Sequence, residues 1–257
     1  MKKYFFLLIL FFCNEINAQT WFAVYNKSNS ISSWAYEYRP NLSQLEAAIK
    51  QKGNSGYNIV KVAYGNGTWF ATFNKSNLIS GWAYEYGPSL SHITDVIKQK
   101  ANNGYNVVDV SYGNGTWFAV FNKSSTFTGW AYEYRSTLSQ LESAIQQRGN
   151  NGFNLINVSY GNGIWFAVFN KSSIITDWAY EYRPNLAQLE AAIKQRGNNG
   201  FNIVDVSYGN GTWFAVFNKS TRVSGWAYDY RSSLPQLESV ISKTGNNGYN
   251  LIGVNFQ

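Results

Sequence analysis

One phrase of 48 residues recurs five times along the chain, with no residue gained or lost between copies. Each copy carries two tryptophans at constant spacing. The first set is Trp21, Trp69, Trp117, Trp165 and Trp213, and the second is Trp34, Trp82, Trp130, Trp178 and Trp226. Tandem units of this size indicate a repeat architecture, in which each unit buries its apolar face against its neighbours.

The constant length favours a closed ring of repeats, because one unit of a different size would strain the closure. An open solenoid predicts instead that the end repeats become polar caps. The last repeat keeps its aromatic residues, so we expect a ring.

Within a unit, two strand-like runs surround an Asn-Gly pair, as in GYNVVDVSYG-NG-TWFAVFNKS. This arrangement is a strong hairpin signal. The WFAVF run is apolar at nearly every position, which predicts a strand buried on both faces. The following GWAYEY run alternates, which places Trp82, Tyr84 and Tyr86 on one face and Ala83 and Glu85 on the other.

A helix is predicted next. Leu42, Leu45 and Ile49 form one apolar stripe, and Asn41 stands at the N-cap position. Thr137, Asn185 and Ser233 are the equivalent caps, and Gly53, Gly149, Gly197 and Gly245 are expected to end the helices in the C′ position. Each unit therefore reads strand, strand, strand, helix, which predicts an α/β fold made of five βββα repeats.

The two ends of the repeat array fall inside the hairpin. Residues 19–257 are one residue short of five complete units, and only the Asn of the Asn-Gly turn is missing. We expect the terminal segments to pair as a hairpin whose turn is open, which leaves no exposed sheet edge. The predicted organisation is a single domain over residues 19–257 with repeats 20–67, 68–115, 116–163, 164–211 and 212–257.

Residues 1–18 have the layout of a secretory signal peptide. Two lysines precede an apolar run from Tyr4 to Cys13, and a polar stretch leads to Ala18. This predicts export to the periplasm or the medium. Removal of residues 1–18 would take away the only Cys and the only Met. The remaining basic residues are spread along the chain, which favours solvated charge over a nucleic-acid patch.

The repeated phrase GYNVVDVSYGNGTWFAVF, followed by GW, is similar to a Trp-rich tandem repeat of bacterial exported proteins that is also appended to some plant kinases. That family has no defined function, and the resemblance covers every unit. Three strands and one helix, five times over, also resemble the pentein or five-fold α/β-propeller architecture. Pentein enzymes use a nucleophilic Cys and a His, but no Cys follows residue 18, and the lone His92 replaces a helix Gln. A five-bladed β-propeller is the alternative fold, although it has no place for a helix in every unit.

Two repeated sets of side chains are candidates for function. A Trp or Tyr face beside an Arg can stack on a sugar ring and hydrogen-bond its hydroxyls, or the same residues can simply cover the helix. These candidates are Trp34, Trp82, Trp130, Trp178, Trp226, Arg39, Arg135, Arg183 and Arg231.

The second set is interpreted as structural Lys–carboxylate pairs between neighbouring strands. Its members are Lys27, Lys75, Lys123, Lys171, Lys219, Glu37, Glu85, Glu133, Glu181 and Asp229.

Catalysis requires positioned acids, bases, nucleophiles or metals. One His and no Cys beyond residue 18 nearly exclude metal sites and thiol- or His-based triads. We therefore expect no catalytic residues, no metal and no cofactor. The leading hypothesis is a monomeric, lectin-like binding module that presents several weak sites to a glycan or another repetitive ligand. The alternatives are a structural ring that docks an exported or surface protein and, third, an enzyme that uses carboxylates. Neither nucleic-acid binding nor membrane insertion is expected.

Overall fold

The computed structural model describes residues 19–257. The predicted signal peptide lies outside the described residues. Each of the five repeats contributes three strands and one helix, as predicted. The strands are β1 Trp21–Ser28, β2 Ile31–Arg39, β3 Asn58–Gly65, β4 Thr68–Ser76, β5 Ile79–Gly87, β6 Asn106–Gly113, β7 Thr116–Ser124, β8 Phe127–Arg135, β9 Asn154–Gly161, β10 Ile164–Ser172, β11 Ile175–Arg183, β12 Asn202–Gly209, β13 Thr212–Ser220, β14 Val223–Arg231 and β15 Asn250–Phe256. The helices are α1 Leu42–Asn54, α2 Leu90–Asn102, α3 Leu138–Asn150, α4 Leu186–Asn198 and α5 Leu234–Asn246.

The strands form five separate three-stranded antiparallel sheets. The WFAVF strands β1, β4, β7, β10 and β13 are the central strands. On one side of each lies a GWAYEY strand, which we call an aromatic strand (β2, β5, β8, β11 and β14). On the other side lies an inner strand (β3, β6, β9, β12 and β15). The sheet orders are β2-β4-β3, β5-β7-β6, β8-β10-β9, β11-β13-β12 and β14-β1-β15.

Each sheet therefore combines two successive repeats. The aromatic strand β2 follows the central strand β1 after only two residues, yet β2 pairs with β4 of the next repeat. The backbone conformation of the two-residue turn explains why β1 and β2 do not form a hairpin. Asn66 and Gly67 have φ of 46° and 75°, as a tight two-residue hairpin turn requires, whereas neither Asn29 nor Ser30 has a positive φ. The chain therefore leaves one sheet at this turn and enters the next.

The predicted Asn-Gly hairpins form between four inner strands and the central strands that follow them: β3–β4, β6–β7, β9–β10 and β12–β13. The terminal strands pair in the same way. Trp21 of β1 lies opposite Phe256 of β15, and the amide of Gln257 donates to the carbonyl of Thr20 at 3.0 Å. The expected pairing of the two terminal segments is therefore present.

Inner strands also contact one another. Each touches the inner strands of the repeats before and after it, and β15 contacts β3. The contact is close because a glycine faces an aromatic ring. A Cβ on Gly113 would lie 2.1 Å from Cβ of Tyr64, and a Cβ on Gly65 would lie 2.1 Å from Cγ of Phe256.

The central strands are buried on both faces, as the apolar WFAVF run predicted. Trp21, Trp69, Trp117, Trp165 and Trp213 are 1–2% exposed. Each core cluster joins three repeats: one cluster, for example, contains Leu237 of the fifth repeat, Trp21 of the first and Phe70 of the second. Stability of each unit therefore depends on its neighbours.

The helix starts agree with the predicted caps. Asn41, Thr137 and Asn185 each accept the backbone N–H three residues later, whereas Ser233 makes no such bond.

The predicted helix ends were wrong. Gly53, Gly149, Gly197 and Gly245 lie inside the last helical turn, and the left-handed residues come three positions later, as in Gly56 with φ 81°. These four helix glycines have a packing role: a Cβ on Gly53, for example, would lie 2.4 Å from Cζ2 of Trp82. No helix within residues 19–257 is long and apolar enough to cross a membrane.

Candidate functional site

One cavity of about 300 Å³ is lined by residues from all five inner strands and from the ends of the central strands. We call it the inner cavity. Small-molecule sites are concave and mostly apolar, with a few polar groups, and they begin at about this size. Most of the wall is aliphatic. Its apolar residues include Val60, Val108, Ile156, Val204 and Ile252 from the inner strands, with Ile31, Ile79, Phe127, Ile175 and Val223 from the aromatic strands.

Buried polar side chains interrupt this wall at one repeated position, immediately after the aliphatic residue of each inner strand. That position holds Lys61, Asp109, Asn157, Asp205 and Gly253 in the five successive repeats. The four side chains, which we call the polar cluster, are between 2% and 8% exposed. The residues next to it on the inner strand are nearly constant, so the polar cluster is a place where the repeats differ in chemistry.

Asp205 receives donors from several directions. The ammonium of Lys61 donates to its Oδ1, and the amide of Asn255 donates to the same oxygen at 3.3 Å. Its Oδ2 accepts from the backbone N–H of Val158 at 3.1 Å and from Nδ2 of Asn157 at 3.2 Å. A buried carboxylate needs such compensation, so Asp205 is held as the ionised partner of Lys61.

Asp109 has fewer compensating groups. Its Oδ1 accepts from Nδ2 of Asn157 at 2.9 Å, and its Oδ2 accepts from the backbone N–H of Val62 at 3.1 Å. Burial raises the pKa of Asp109 to about 7, and the proximity of Asp205 adds to this, while Lys61 and the Val62 N–H oppose it. The polar cluster thus contains one cation, one paired carboxylate and one carboxyl group that titrates near neutral pH.

Asparagines form a further part of the wall. Asn74, Asn122 and Asn218 line the inner cavity, and among the described residues the side-chain oxygen of each is buried without a hydrogen-bond partner. Such atoms cost free energy unless water or a bound molecule reaches them.

The predicted tryptophan sites are largely occupied by the protein itself. Each second-set Trp is only partly buried. Trp130 packs against the core cluster that contains Ile93 and Ile97 of α2. Trp34, Trp82, Trp178 and Trp226 face the helix glycines described above. In the same strands, pairs of tyrosine hydroxyls bond a helix glutamate, as Tyr84 and Tyr86 bond Glu46. The expected alternation of the aromatic strand is therefore present, with its Trp-Tyr-Tyr face against the preceding helix.

The arginines beside these tryptophans are also engaged. Arg39 donates to the carbonyl of Tyr38 at 2.7 Å and pairs with Glu37 at 2.7 Å. Arg135, Arg183 and Arg231 make the same two contacts in their own strands. Within residues 19–257 no Arg lies over a Trp ring, so the guanidinium groups serve the sheet and not an aromatic platform.

Within residues 19–257 none of the five lysines pairs with the carboxylate expected for it, although Lys219 pairs with Asp177 on the neighbouring strand at 3.6 Å. Glu37 on β2 pairs with Lys52 on α1 of the same repeat as well as with Arg39, and Glu133 and Glu181 pair similarly with Arg148 and Arg196. Glu85 pairs with Lys100, and Asp229 accepts from Thr244. The reason is register: Glu37 lies opposite Ala71, whereas Lys75 lies four residues further along β4, opposite Ser33.

The predicted lysines have another partner, an aromatic ring that follows each helix. Their ammonium groups lie 4.4–4.6 Å from these ring centroids. The pairs are Lys27–Tyr249, Lys75–Tyr57, Lys123–Tyr105, Lys171–Phe153 and Lys219–Phe201.

The divergent second repeat shows one compensating pair of changes. Gly87 stands where four other repeats have Arg, and His92 stands where they have Gln. A Cβ on Gly87 would lie 2.2 Å from Cδ2 of His92, so the imidazole occupies the space next to the glycine. The lone histidine is therefore packed against the strand.

Sequence reasoning missed the polar cluster. Its signal was available, because Lys, Asp, Asn, Asp and Gly replace one another at a single position of a nearly invariant strand. Such a position stands out only where the repeats differ, because a site that is built once from five units needs different residues in different units. The described residues hold no group of three or more His, Cys, Asp or Glu side chains placed to bind a metal ion.

In comparisons with known proteins, no family model matches the sequence, and no curated protein is significantly similar to it. The five similar repeats, each with its Trp/Tyr-rich cluster, are consistent with a Trp-rich tandem repeat.

Proposed function

We propose that this chain is a non-catalytic binding protein that holds one small ligand in the inner cavity. The observation that carries this proposal is the polar cluster: four buried side chains of three chemical types face one cavity from equivalent positions of a largely repeated frame. A position with the same structural role in every repeat would hold the same residue each time, as the position of the central-strand tryptophan does. A single asymmetric ligand instead requires different groups on different sides.

The proposal includes a closed ring of five βββα repeats, similar to the pentein-like α/β-propeller and related to the Trp-rich repeat family. Three observations support closure. β1 pairs with β15, inner strands contact one another in succession, and Phe256 of the last repeat packs on Gly65 of the first. In this arrangement the inner cavity lies on the ring axis, where each repeat contributes one residue at each level.

The chemistry of the wall defines the ligand class. An aliphatic surface favours an apolar body of modest size. The carboxyl groups of Asp109 and Asp205 are matched in number by the cations of Lys61 and Arg222 in the same wall. The unpartnered amide oxygens of the asparagines are therefore the free acceptors. We infer that the ligand carries hydrogen-bond donors, such as an amine or hydroxyls, on an apolar frame.

One site is better supported than five. The Trp and Arg side chains that would form repeated glycan sites already contact a helix or a neighbouring carboxylate. Export through residues 1–18, with the ligand met outside the cytoplasm, remains part of the proposal on the grounds of sequence alone.

Matched probes can test this proposal. Cyclohexylamine and cyclohexanol share an apolar ring and differ in the donor group, and their binding can be followed by ligand-observed NMR. We expect saturable binding to the protein that is lost in Ile79→Trp, where an indole would fill the inner cavity. Lys194→Ala, on the exposed face of α4, is the matched control and should bind as the parent does.

Two results would contradict the proposal. One is that neither probe binds the parent protein, and the other is that Ile79→Trp binds as well as Lys194→Ala. A folded state of Ile79→Trp, checked by circular dichroism, is needed for the second comparison.

A further inference from the structure

Four of the five aromatic strands direct two tyrosine hydroxyls at one carboxylate. Tyr84 and Tyr86 donate to the two oxygens of Glu46, both at 3.0 Å. The other three sites repeat the geometry at 3.1–3.4 Å, with Glu142, Glu190 and Glu238 on α3, α4 and α5. A carboxylate between two hydroxyl donors is therefore a regular component of this fold.

The fifth site lacks its carboxylate. Thr94 occupies the equivalent position on α2, and its hydroxyl is used locally, donating to the carbonyl of Ser91 at 2.9 Å. No described side chain accepts a hydrogen bond from the hydroxyl of Tyr132 or Tyr134. Tyr134 is 41% exposed, and it is the one large apolar or aromatic residue in residues 19–257 that is exposed to this degree.

The two rings are nevertheless held as in the other repeats. Trp130, Tyr132 and Tyr134 stack in succession at 6.3 and 6.4 Å, and both tyrosines also stack on Phe166. The donors are therefore positioned before any acceptor arrives, which reduces the entropy cost of binding.

Charges around this site are mixed. Burial raises the pKa of Tyr132, and the nearby ammonium of Lys98 opposes that effect, while Asp95 and Glu133 add to it. Lys98 pairs with Asp95 at 3.3 Å, and Arg135 pairs with Glu133 at 2.8 Å. Each nearby anion thus has its own cation, so an incoming anion meets two hydroxyl donors and no unpaired negative charge.

We propose that Tyr132 and Tyr134, with the space left by Thr94, form a binding site for a carboxylate supplied by a ligand. At this site a ligand carboxylate would accept the two tyrosine hydrogen bonds that a helix glutamate accepts at the four other sites. It is separate from the inner cavity, so its test does not depend on the proposed small-molecule site.

Thermal unfolding in sodium acetate against sodium chloride of equal ionic strength tests the site. Acetate stabilises proteins non-specifically by exclusion from their surface, so the comparison is between variants. In the parent protein we expect an additional, saturable rise of the unfolding midpoint in acetate, because a ligand that binds only the folded state stabilises it. In Thr94→Glu the built-in carboxylate should raise the midpoint without acetate and abolish the additional rise.

Two further variants keep the test decisive. Tyr132→Phe/Tyr134→Phe removes both donors and should lose the acetate-specific rise even if Thr94→Glu fails to fold. Glu142→Thr creates a second vacancy in the next repeat and should show a larger acetate-specific rise than the parent. The proposal is overturned if the parent shows no acetate-specific rise, or if the double Phe variant retains it.

A second arm distinguishes a sugar acid from a simple carboxylate. Glucuronate should stabilise the parent more than glucose does, because only glucuronate carries the carboxylate. If glucuronate is also more effective than acetate, the stacked rings contribute to binding as a sugar platform. Equal effects of glucuronate and glucose would contradict carboxylate recognition.

Discussion

Lys61 on β3 donates a hydrogen bond to Asp205 on β12, although 144 residues separate them along the chain. The two side chains are 10% and 3% exposed. Their contact joins the first and fourth repeats directly in the wall of the inner cavity. This ion pair is therefore a tertiary feature that local sequence cannot specify.

Removing the cation should be costly. We expect Lys61→Met to lower the free energy of unfolding by about 3–5 kcal/mol, because a buried carboxylate is left without its counter-ion. Urea denaturation measures the change. The double variant Lys61→Met/Asp205→Asn, which removes both charges, should recover part of the loss. A double variant that is less stable than Lys61→Met would count against the ion pair as the cause.

Asp109 should make stability depend on pH. Its pKa lies at about 7 in the folded protein and at its ordinary 3.8 when exposed. Between these values the folded state binds more protons than the unfolded state, so the contribution of Asp109 to stability falls as pH rises from about 4 to about 7. Above about pH 7 the penalty of the buried charge is complete.

The variant Asp109→Asn isolates this effect because it does not titrate. Its absolute stability should be lower, since one N–H donor around Asp109 would face the new amide NH₂. However, the difference in free energy of unfolding, Asp109→Asn minus parent, should increase as the pH rises from 4.5 to 8. Urea denaturation at both values measures the difference, and an unchanged difference would refute the assigned pKa.

The close contact between inner strands predicts that alanine substitution destabilises the protein much more at Gly113 than at Gly129. Gly113→Ala places a Cβ 2.1 Å from Cβ of Tyr64, where no flexible side-chain end can move aside. We expect a loss of about 1–3 kcal/mol from overpacking. Gly129→Ala is the control, because its Cβ would lie 3.6 Å from the nearest atom, Cδ of Lys171. Thermal unfolding of both variants should separate them, and equal midpoints would contradict the packing described.

Pairing of the terminal strands predicts that the last strand is essential. Deleting Asn250–Gln257 removes β15, exposes an edge of β1 and takes Leu251 and Val254 out of the core, where each is 1% exposed. Burial of one such side chain contributes roughly 1.5–3 kcal/mol. The total loss is comparable to the whole stability of a domain, so we expect aggregation or no accumulation.

A circular permutant provides the complementary test. Residues 19–257 are joined from Gln257 to Gln19 through an added Asn, and new ends are opened between Asn114 and Gly115. All strands remain intact, so soluble protein with a native circular dichroism spectrum is expected. Tolerated deletion together with a permutant that fails to fold would be evidence for an open array.

The sequence by itself determined the local structure of this protein. Strand, turn and helix depend on neighbouring residues, so the Asn-Gly hairpins, the buried WFAVF strands, the alternating aromatic strands and most helix caps could be read directly. The arithmetic of the repeats also predicted the pairing of β1 with β15, because equal units leave a defined gap at the ends.

Only the tertiary structure decided how these elements meet. The aromatic strand joins the next sheet because its preceding turn lacks the positive φ values of a hairpin. The register of that pairing leaves the lysine four residues from the position opposite the expected carboxylate, as for Lys75 and Glu37. Gly53 proved to accommodate Trp82 of the next repeat, a steric relation between residues that no local pattern connects. The polar cluster has the same origin: Lys61, Asp109, Asn157 and Asp205 stand at one position of separate repeats, and only packing of the inner strands brings their charges together.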